Sequence, residues 1–365
     1  MAIRVSKETA LGRRLRRHAL DPPDARSVAE VADRVVAFRA WPAEAAALMV
    51  ATRLSIPSMS ALDDALARGL VIRSYAFRGG AYVFTRAAAA ELLTARLATG
   101  IWQTKRWQQQ GALDIDDWEP LRAAVRGALS TGPKTRGEIS EFLHREPRLR
   151  TLAASAHGLG ADSLYKPLHW WGDICFGPSH EGEATFQLLD PGLEPLDLDD
   201  AGRAAVRTYL HSYAPATDAN LAYWLTDGLG VPRKRLRGWI DDLGDEIVTV
   251  DIEGEPAFAL ASDLDGILDS PPSTGVRLLP AFDPWVFGPG TADARVTPPQ
   301  LRALASTGSN LVVAGGVVTG TWKIRRGVLD LALVSPVDAL QLEAEVKRLS
   351  AIRGLELQVT GATPP

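Results

Sequence analysis

Residues 278–288, Leu-Leu-Pro-Ala-Phe-Asp-Pro-Trp-Val-Phe-Gly, are the stretch that decides the fold, and residues 312–323, Val-Val-Ala-Gly-Gly-Val-Val-Thr-Gly-Thr-Trp-Lys, support it. The second stretch is two β-rich runs around Gly315-Gly316, a glycine pair whose positive φ angles suit a tight hairpin. The first is an apolar run interrupted by prolines, which suits the rim of a small closed sheet. Together they predict a β-barrel-like domain over residues 275–365.

Upstream of these stretches, helices followed by a hairpin form a repeated order. Ser27 and Glu30 have the spacing of a capping box, which predicts the start of a helix. Residues 70–78 and 81–85 are β-rich runs on either side of Gly79-Gly80, which predicts a hairpin. Three helices followed by a hairpin is the winged-helix arrangement.

A similar order returns twice, and breaker-rich or acidic linkers separate the units. The sequence therefore predicts an α+β chain of tandem winged-helix (helix-turn-helix) domains followed by the C-terminal β-domain. The predicted boundaries are 1–112 for the first unit with an N-terminal basic helix, 113–195 for the second, 196–268 for the third and 275–365 for the β-domain.

This order, with the two C-terminal motifs, resembles the AlkZ-like winged-helix DNA glycosylases, bacterial enzymes that remove alkylated bases. The resemblance covers nearly the whole chain. It implies double-stranded DNA as the partner and hydrolysis of the bond between base and sugar, through a transition state that resembles an oxocarbenium ion. It implies no cofactor.

The family carries its catalytic pair, Gln-x-Gln or Gln-x-Asp, at the end of the second helix. The matching segment here keeps the frame of Ala40, Pro42 and the following alanines but has Arg39 and Trp41 at the two positions. Two unit charges about 4 Å apart interact by about 4 kcal/mol at an effective dielectric near 20, so a guanidinium facing a cationic sugar opposes the reaction. Arginine is also no base at neutral pH. The catalytic residues are therefore left unassigned, and enzyme activity stays open.

Glu44 is the acid nearest to this segment. We interpret it as a surface carboxylate near a helix N-terminus, where the helix dipole favours it. A position closer to the pocket is the alternative.

The predicted first hairpin carries the second family segment, an Arg-Gly-Thr-x-His-like run that enters the minor groove. Here Arg78 and Gly79 match, whereas Gly80 and Tyr82 depart from it. Arginine is attracted by the negative potential of a minor groove, and an aromatic ring at the tip can wedge between base pairs. The alternative is an exposed hairpin with a tight turn and no DNA contact.

Charge is distributed unevenly along the chain. Residues 1–112 carry 17 Lys and Arg against 9 Asp and Glu, a net charge of +8, and the rest carries 23 against 35, a net charge of −12. This asymmetry indicates a basic working surface on an acidic body. The candidates for phosphate contact are Arg13, Arg14, Arg16 and Arg17 in the first helix and Lys234, Arg235 and Arg237 in the third unit. Solvated helix faces are the alternative for both groups.

Several other features exclude classes of protein or site. The single cysteine, Cys175, rules out an internal disulfide framework, and His157, His169 and His180 lack metal-ligand spacing. No apolar run is long enough for a membrane helix, and residues 1–7 lack the apolar core expected of a signal peptide. We therefore expect a cytoplasmic monomer without a metal.

Three further features have ordinary structural interpretations. Trp170, Trp171 and Trp224 are predicted to lie in the core, and Asp283 to cap a backbone turn. The Gln108-Gln109-Gln110 run is predicted to be a solvated helix end.

Two functions from different classes follow, and a third stays open. The first is a DNA-binding protein of the glycosylase family that acts on alkylated or distorted duplex DNA. The second is a non-catalytic relative that senses lesions, confers self-resistance or binds DNA structurally. The third is a protein-interaction scaffold with no DNA role, whose binding would be insensitive to salt.

Overall fold

A computed structural model of the protein describes residues 3–157, 161–194 and 196–361. The fold is mixed α+β, as predicted. The elements through residue 111 are β1 (Ile3–Arg4), α1 (Lys7–Arg17), α2 (Val28–Val35), β2 (Phe38–Arg39), α3 (Ala43–Ala51), α4 (Ala61–Ala67), β3 (Ile72–Tyr75), β4 (Ala81–Phe84), α5 (Arg86–Leu97) and α6 (Lys105–Gly111).

The middle of the chain repeats the alternation of helices and hairpins. Its first part comprises α7 (Trp118–Leu129), β5 (Lys134–Thr135), α8 (Arg136–Arg145), α9 (Arg150–His157), α10 (Ala161–Trp170), β6 (Ile174–Phe176) and β7 (Thr185–Leu188). Its second part comprises α11 (Leu198–Tyr213), α12 (Asp218–Leu221), a π-helical turn (Ala222–Thr226), α13 (Asp227–Leu229), α14 (Arg233–Asp242), β8 (Ile247–Ile252), β9 (Glu255–Leu260) and α15 (Leu264–Leu268).

The C-terminal part contains an open sheet, which corrects the prediction of a barrel-like domain. Its elements are β10 (Val276–Leu279), α16 (Pro284–Phe287), α17 (Arg302–Ser306), β11 (Asn310–Ala314), β12 (Val317–Arg325), β13 (Val328–Leu333), α18 (Ala339–Arg353) and β14 (Gln358–Thr360). The strand order is β10-β11-β12-β13-β14, and no pairing between the two edge strands closes the sheet within the described part of the chain. Helix α18 packs against β10 instead.

The predicted glycine hairpin is confirmed. Strands β11 and β12 pair antiparallel up to Ala314 and Val317, and the two turn residues between them have φ angles of +55° and +89°. Both angles lie in the left-handed region, which glycine adopts without steric penalty.

Three small sheets carry the remaining hairpins, in the strand orders β2-β4-β3, β5-β7-β6 and β1-β8-β9. The third contains a strand from the other end of the sequence, because Ile3 and Arg4 pair parallel with Val250 and Asp251. Helix α1 follows this strand, and its buried leucines Leu11 and Leu15 share a core with the C-terminal sheet. The N-terminal helix therefore packs on α11, α15 and the C-terminal sheet.

The 278–288 stretch ties this C-terminal part to the rest of the molecule. Asp283 caps α16 by accepting a hydrogen bond from the backbone N–H of Trp285 at 2.8 Å, as the sequence predicted for a turn. The same carboxylate forms a two-bond ion pair with Arg53, which follows α3, and both side chains are fully buried. Trp285 is also fully buried and donates its indole N–H to the carbonyl of Gly316. The motif thus joins the hairpin turn at Gly316 to the end of α3.

The tryptophans predicted to be core residues fit that prediction, since Trp170 and Trp224 are buried and Trp171 is half-buried. The described residues include no helix that is both long and apolar enough to span a membrane. Nor do they bring three or more His, Cys, Asp or Glu side chains together in a way that would hold a metal ion.

One buried histidine makes the stability of the fold depend on pH. His169 lies against Ser74, with Nδ1 3.0 Å from Oγ, and burial followed by the charge of Arg136 lowers its pKa to about 3. The folded protein therefore holds the ring in its neutral form. The contribution of the neutral ring to the free energy of unfolding is fully present above the ordinary pKa near 6.5 and is lost as pH falls toward 3.

When the pH falls from 7.5 to 5, we expect His169 to lower the free energy of unfolding by about 2 kcal/mol. The reason is that its ring binds a proton at pH 5 in the unfolded chain but stays neutral in the folded chain. Urea unfolding of the wild type and of His169→Gln at both pH values measures this. The difference between the two pH values should shrink by that amount in the variant, and an unchanged difference would contradict the assignment.

Candidate functional site

Arg39 and Trp41, the residues at the family's catalytic positions, lie on one side of an extended segment. Strand β2 pairs antiparallel with β4, so that Arg39 lies opposite Tyr82. Phe38 and Ala40 are buried, whereas Arg39 is half-buried and Trp41 is 47% exposed. Because side chains alternate along an extended chain, Arg39 and Trp41 both point away from the core.

Arg39 and Arg78 meet at a small cavity, which we call the arginine pocket. The Arg39 guanidinium carbon lies 4.2 Å from the ring centroid of Phe282, and that of Arg78 lies 4.1 Å from the ring centroid of Tyr223. Arg78 also donates a hydrogen bond from Nη2 to the Tyr223 carbonyl at 2.9 Å. The cavity measures about 100 Å³, and its lining residues are Arg39, Phe77, Arg78, Gly80, Tyr82, Tyr223 and Phe287.

Irregular backbone positions three of the side chains around this pocket. Arg78 has a φ angle of +50° and Phe282 one of +61°, both in the left-handed region that bulky residues rarely adopt. Tyr223 lies in the π-helical turn 222–226, a geometry found often at functional sites. Strained backbone of this kind persists where the surrounding structure enforces it, and it clusters at binding sites.

The pocket carries positive charge and lacks a lining carboxylate. Neither Arg39 nor Arg78 forms an ion pair within 4.0 Å in the described part of the chain. By contrast, Arg34 in α2 bonds both Asp24 and Glu30. The pocket is therefore a cationic cavity walled by aromatic rings.

Tyr82 corrects one sequence-based prediction. Its side chain is only 7% exposed and packs on Phe77 with 5.0 Å between the ring centroids. Burial raises the pKa of its hydroxyl, and the charges of Arg39 and Arg78 act in the opposite direction. A buried ring cannot wedge between base pairs, so Tyr82 is a wall of the pocket. Gly79 and Gly80 are half-buried at the turn beside it.

Glu44, the acid nearest to the motif, lies outside this pocket. It is an exposed side chain in the first turn of α3, and its Oε1 lies 2.5 Å from Nη1 of Arg353 in α18. This agrees with its interpretation as a surface carboxylate.

A wider groove lies beside the arginine pocket, and Tyr223 lines both. The groove has a volume of about 690 Å³, and its lining carries the four carboxylates of Asp218, Glu253, Glu255 and Asp293 against the two cations Lys7 and Arg295. Burial alone would raise the pKa of Asp293, but the hydrogen bond and charge of Arg295 outweigh it, and the net pKa lies below its usual range. The groove therefore has a charge opposite to that of the pocket.

The basic helix α1 is less accessible than its sequence predicts. Arg14 is only 3% exposed and donates to the carbonyl of Tyr213 at 2.7 Å, so it anchors α1 to α11 and is not available to a phosphate. Arg16 bonds the carbonyl of Pro271, and Arg17 pairs with Asp33 at 3.4 Å. Arg13, Arg16 and Arg17 are half-buried. The prediction of a DNA-facing patch is thus wrong for Arg14.

The basic residues of α14 are exposed at the surface. Arg235 pairs with Asp199 at 3.0 Å and Arg237 with Asp218 at 3.1 Å. Lys234 is exposed on the same helix. Their roles in DNA contact stay predictions.

Sequence reasoning did not single out Phe282, Phe287 or Tyr223 for this site. The two phenylalanines lie inside the 278–288 stretch. That stretch indicated the fold, but nothing in it indicated that these two rings would lie at a functional site. Tyr223 had no sequence signal, because its placement depends on the π-helical turn.

Comparison with known proteins gives a consistent result. The family model described as "DNA glycosylase AlkZ-like" matches residues 32–352. An interstrand DNA cross-link repair glycosylase of Streptomyces sahachiroi is 30% identical over 373 residues, which cover 95% of this chain and 97% of that protein. The solved structure of the Streptomyces sahachiroi DNA glycosylase AlkZ superposes with a TM-score of 0.91 at 27% identity, over 99% of this chain and 100% of that one.

Proposed function

Because this chain belongs to the AlkZ-like DNA glycosylase family, we propose that it binds duplex DNA and acts on alkylated or distorted positions in it. The single observation that carries the proposal is the match to the family over residues 32–352. The arginine pocket and the exposed Trp41, two residues after Arg39, support a working surface at the family's catalytic segment.

We propose that each small sheet and its neighbouring helices form a winged-helix unit. Each sheet combines a hairpin with one short additional strand, as the winged-helix arrangement requires. The unit boundaries 1–112, 113–195, 196–268 and 275–365 are part of this proposal, as are a monomeric state and a cytoplasmic location near the DNA. In the first unit, the strand at residues 3–4 belongs to the sheet of the third.

Trp41 is the side chain that we assign to the extruded base. A glycosylase gives water access to C1′ by taking the base out of the stack, and the exposed ring of Trp41 offers that base a stacking platform. Stacking on an aromatic side chain contributes about 1–3 kcal/mol per base. Water attacks C1′ and releases one proton to solvent, the bond to the base nitrogen breaks, and the electron pair of that bond leaves with the base.

A non-catalytic lesion reader is the second candidate function. The observation that favours it is Arg39, a guanidinium at the first position of the catalytic pair, where a cationic sugar would develop. This candidate predicts binding of damaged DNA without release of a base.

Base release from a duplex with one N7-methylguanine tests the proposal. Alkali cleavage reveals abasic sites, and we expect release above the spontaneous rate that falls at least about tenfold in Trp41→Ala, the equivalent of about 1.4 kcal/mol. Ile56→Ala is the control, because Ile56 is 84% exposed and lies outside the pocket. Salt-sensitive binding without release would support the lesion reader, and neither binding nor release would exclude both DNA functions.

Restoring glutamine at the first position of the family's pair tests whether Arg39 limits hydrolysis. We expect Arg39→Gln, with the stacking ring of Trp41 kept, to raise the single-turnover rate of base release at saturating protein by about tenfold or more. The reason is that the substitution removes a positive charge facing the cationic transition state. A rate that stays the same or falls would show that Arg39 does not oppose the reaction.

A further inference from the structure

The arginine pocket combines charge, aromatic walls and small size in a way that selects one kind of ligand. Arg39 and Arg78 are both free of carboxylate partners within 4.0 Å in the part of the chain that the structure describes. Two like charges side by side repel, so their convergence is stabilised when an anion lies between them. The pocket therefore favours a negatively charged group.

Aromatic stacking holds both guanidinium groups ready for such a group. Arg39 lies over Phe282 and Arg78 over Tyr223, at 4.2 Å and 4.1 Å from the ring centroids. A guanidinium stacked by its face keeps its in-plane N–H groups available as donors. Arg78 uses Nη2 on the Tyr223 carbonyl, and this bond fixes its orientation.

The size of the pocket distinguishes a phosphate from a base. Its volume is about 100 Å³, whereas sites for drug-sized ligands measure about 300–1,000 Å³. A phosphate group has few heavy atoms and matches the planar, forked donors of arginine, which bind it through two parallel hydrogen bonds. An extruded purine needs more room than this cavity has.

We propose that Arg39 and Arg78 together clamp one backbone phosphate of duplex DNA in the arginine pocket. This inference rests on the proposed function and deepens it. In this proposal, Arg39 holds the DNA strand. The strained backbone at Arg78 and Phe282 orients the guanidinium groups of the clamp before DNA binds. The extruded base then lies outside this pocket, on the side of Trp41.

The salt dependence of DNA binding tests the clamp. Each phosphate contact contributes about 0.9 to the slope of the logarithm of the binding constant against the logarithm of salt concentration. Since both arginines share one phosphate, the remaining arginine still neutralises it in either single variant. Arg39→Gln and Arg78→Gln should therefore each lower the slope by clearly less than about 0.9, and the double variant should lower it by about 0.9. Arg148→Gln is the control, because Arg148 is exposed and does not line the pocket.

Three outcomes separate the possibilities. Single variants that each lose about 0.9 of slope, with a double variant that loses about 1.8, would mean two independent phosphates. An unchanged slope in the double variant would mean no phosphate contact, and either result overturns the clamp. Absence of duplex binding by the wild type at low salt would instead overturn the proposed function. Arg78 is exposed, so Arg78→Gln keeps the test usable even if Arg39→Gln fails to fold.

Inorganic phosphate provides a second arm that distinguishes the source of the ligand. If the pocket serves duplex DNA, phosphate at millimolar concentration should compete with the duplex more strongly than chloride of equal ionic strength, and the double variant should lose this difference. The opposite result has two parts: phosphate raises the melting temperature of the wild type, and the salt dependence of duplex binding stays unchanged in the variants. Together they would assign the pocket to a free phosphate and overturn the DNA clamp.

Discussion

Asp283→Asn is expected to lower the free energy of unfolding by about 3–5 kcal/mol, because it leaves the buried Arg53 without its counter-ion. The two carboxylate oxygens of Asp283 lie 2.9 Å and 2.7 Å from Nη1 and Nη2 of Arg53, and both side chains are 0% exposed. Asparagine retains an oxygen for the Trp285 cap, so the substitution removes the charge and keeps the turn.

A matched surface pair provides the control for this prediction. Lys323 and Asp330 lie 2.8 Å apart, with 56% and 42% of their side chains exposed. An exposed pair contributes about 0–1 kcal/mol, so Asp330→Asn should change stability little. Urea unfolding of both variants measures the difference. Equal losses in the two variants would show that the buried pair has no special role in joining the β-domain to the first unit.

Gly202→Ala is expected to lower the free energy of unfolding by about 3 kcal/mol, the upper end of the usual effect of overpacking a core. A Cβ at position 202 would lie 2.0–2.3 Å from three ring atoms of Trp239. That ring is 1% exposed and donates its N–H to Asp199 at 2.8 Å, so it cannot move without losing a bond. The clash therefore exceeds the gain from a better helix former.

Gly238→Ala, on the facing helix α14, is the matched control and should have the opposite sign. No atom lies within 4 Å of a Cβ built there. Alanine is favoured over glycine in a helix interior by about 0.8–1 kcal/mol, so this variant should be more stable than the wild type. Thermal unfolding of the two variants side by side checks both signs. Destabilisation by both would mean that α11 and α14 do not pack as described.

Local signals in the sequence predicted much of the fold. Ser27 caps the start of α2 by accepting a hydrogen bond from the backbone N–H of Glu30, and the glycine pair at 315–316 forms its hairpin turn. Asp283 caps a turn as its position before proline suggested. These features depend on residues close together in the chain, which is why sequence alone identifies them.

Long-range contacts account for what the sequence did not show. The basic pattern of α1 predicted an exposed face, but Arg14 is buried against carbonyls of residues 213 and 215. Tyr82 was expected at a hairpin tip but is buried against Phe77 and forms a wall of the pocket. The barrel prediction failed because α18 packs beside β10, and no sequence motif encodes that choice.

The arginine pocket was therefore only half predictable. The positions Arg39 and Arg78 followed from the resemblance to the family, and their departure from it marked the segment as unusual. Their convergence on the rings of Phe282 and Tyr223, which lie far away in the sequence, required the three-dimensional structure.

A comparison of two duplexes of identical sequence, one undamaged and one with a single alkylated base, tests the central claim most directly. Binding constants for the wild type are measured at several salt concentrations. We predict tighter binding of the damaged duplex by at least about tenfold, or about 1.4 kcal/mol, with affinity for both falling steeply as salt rises. Equal affinity for the two duplexes, or binding that does not respond to salt, would contradict a protein that acts on altered DNA.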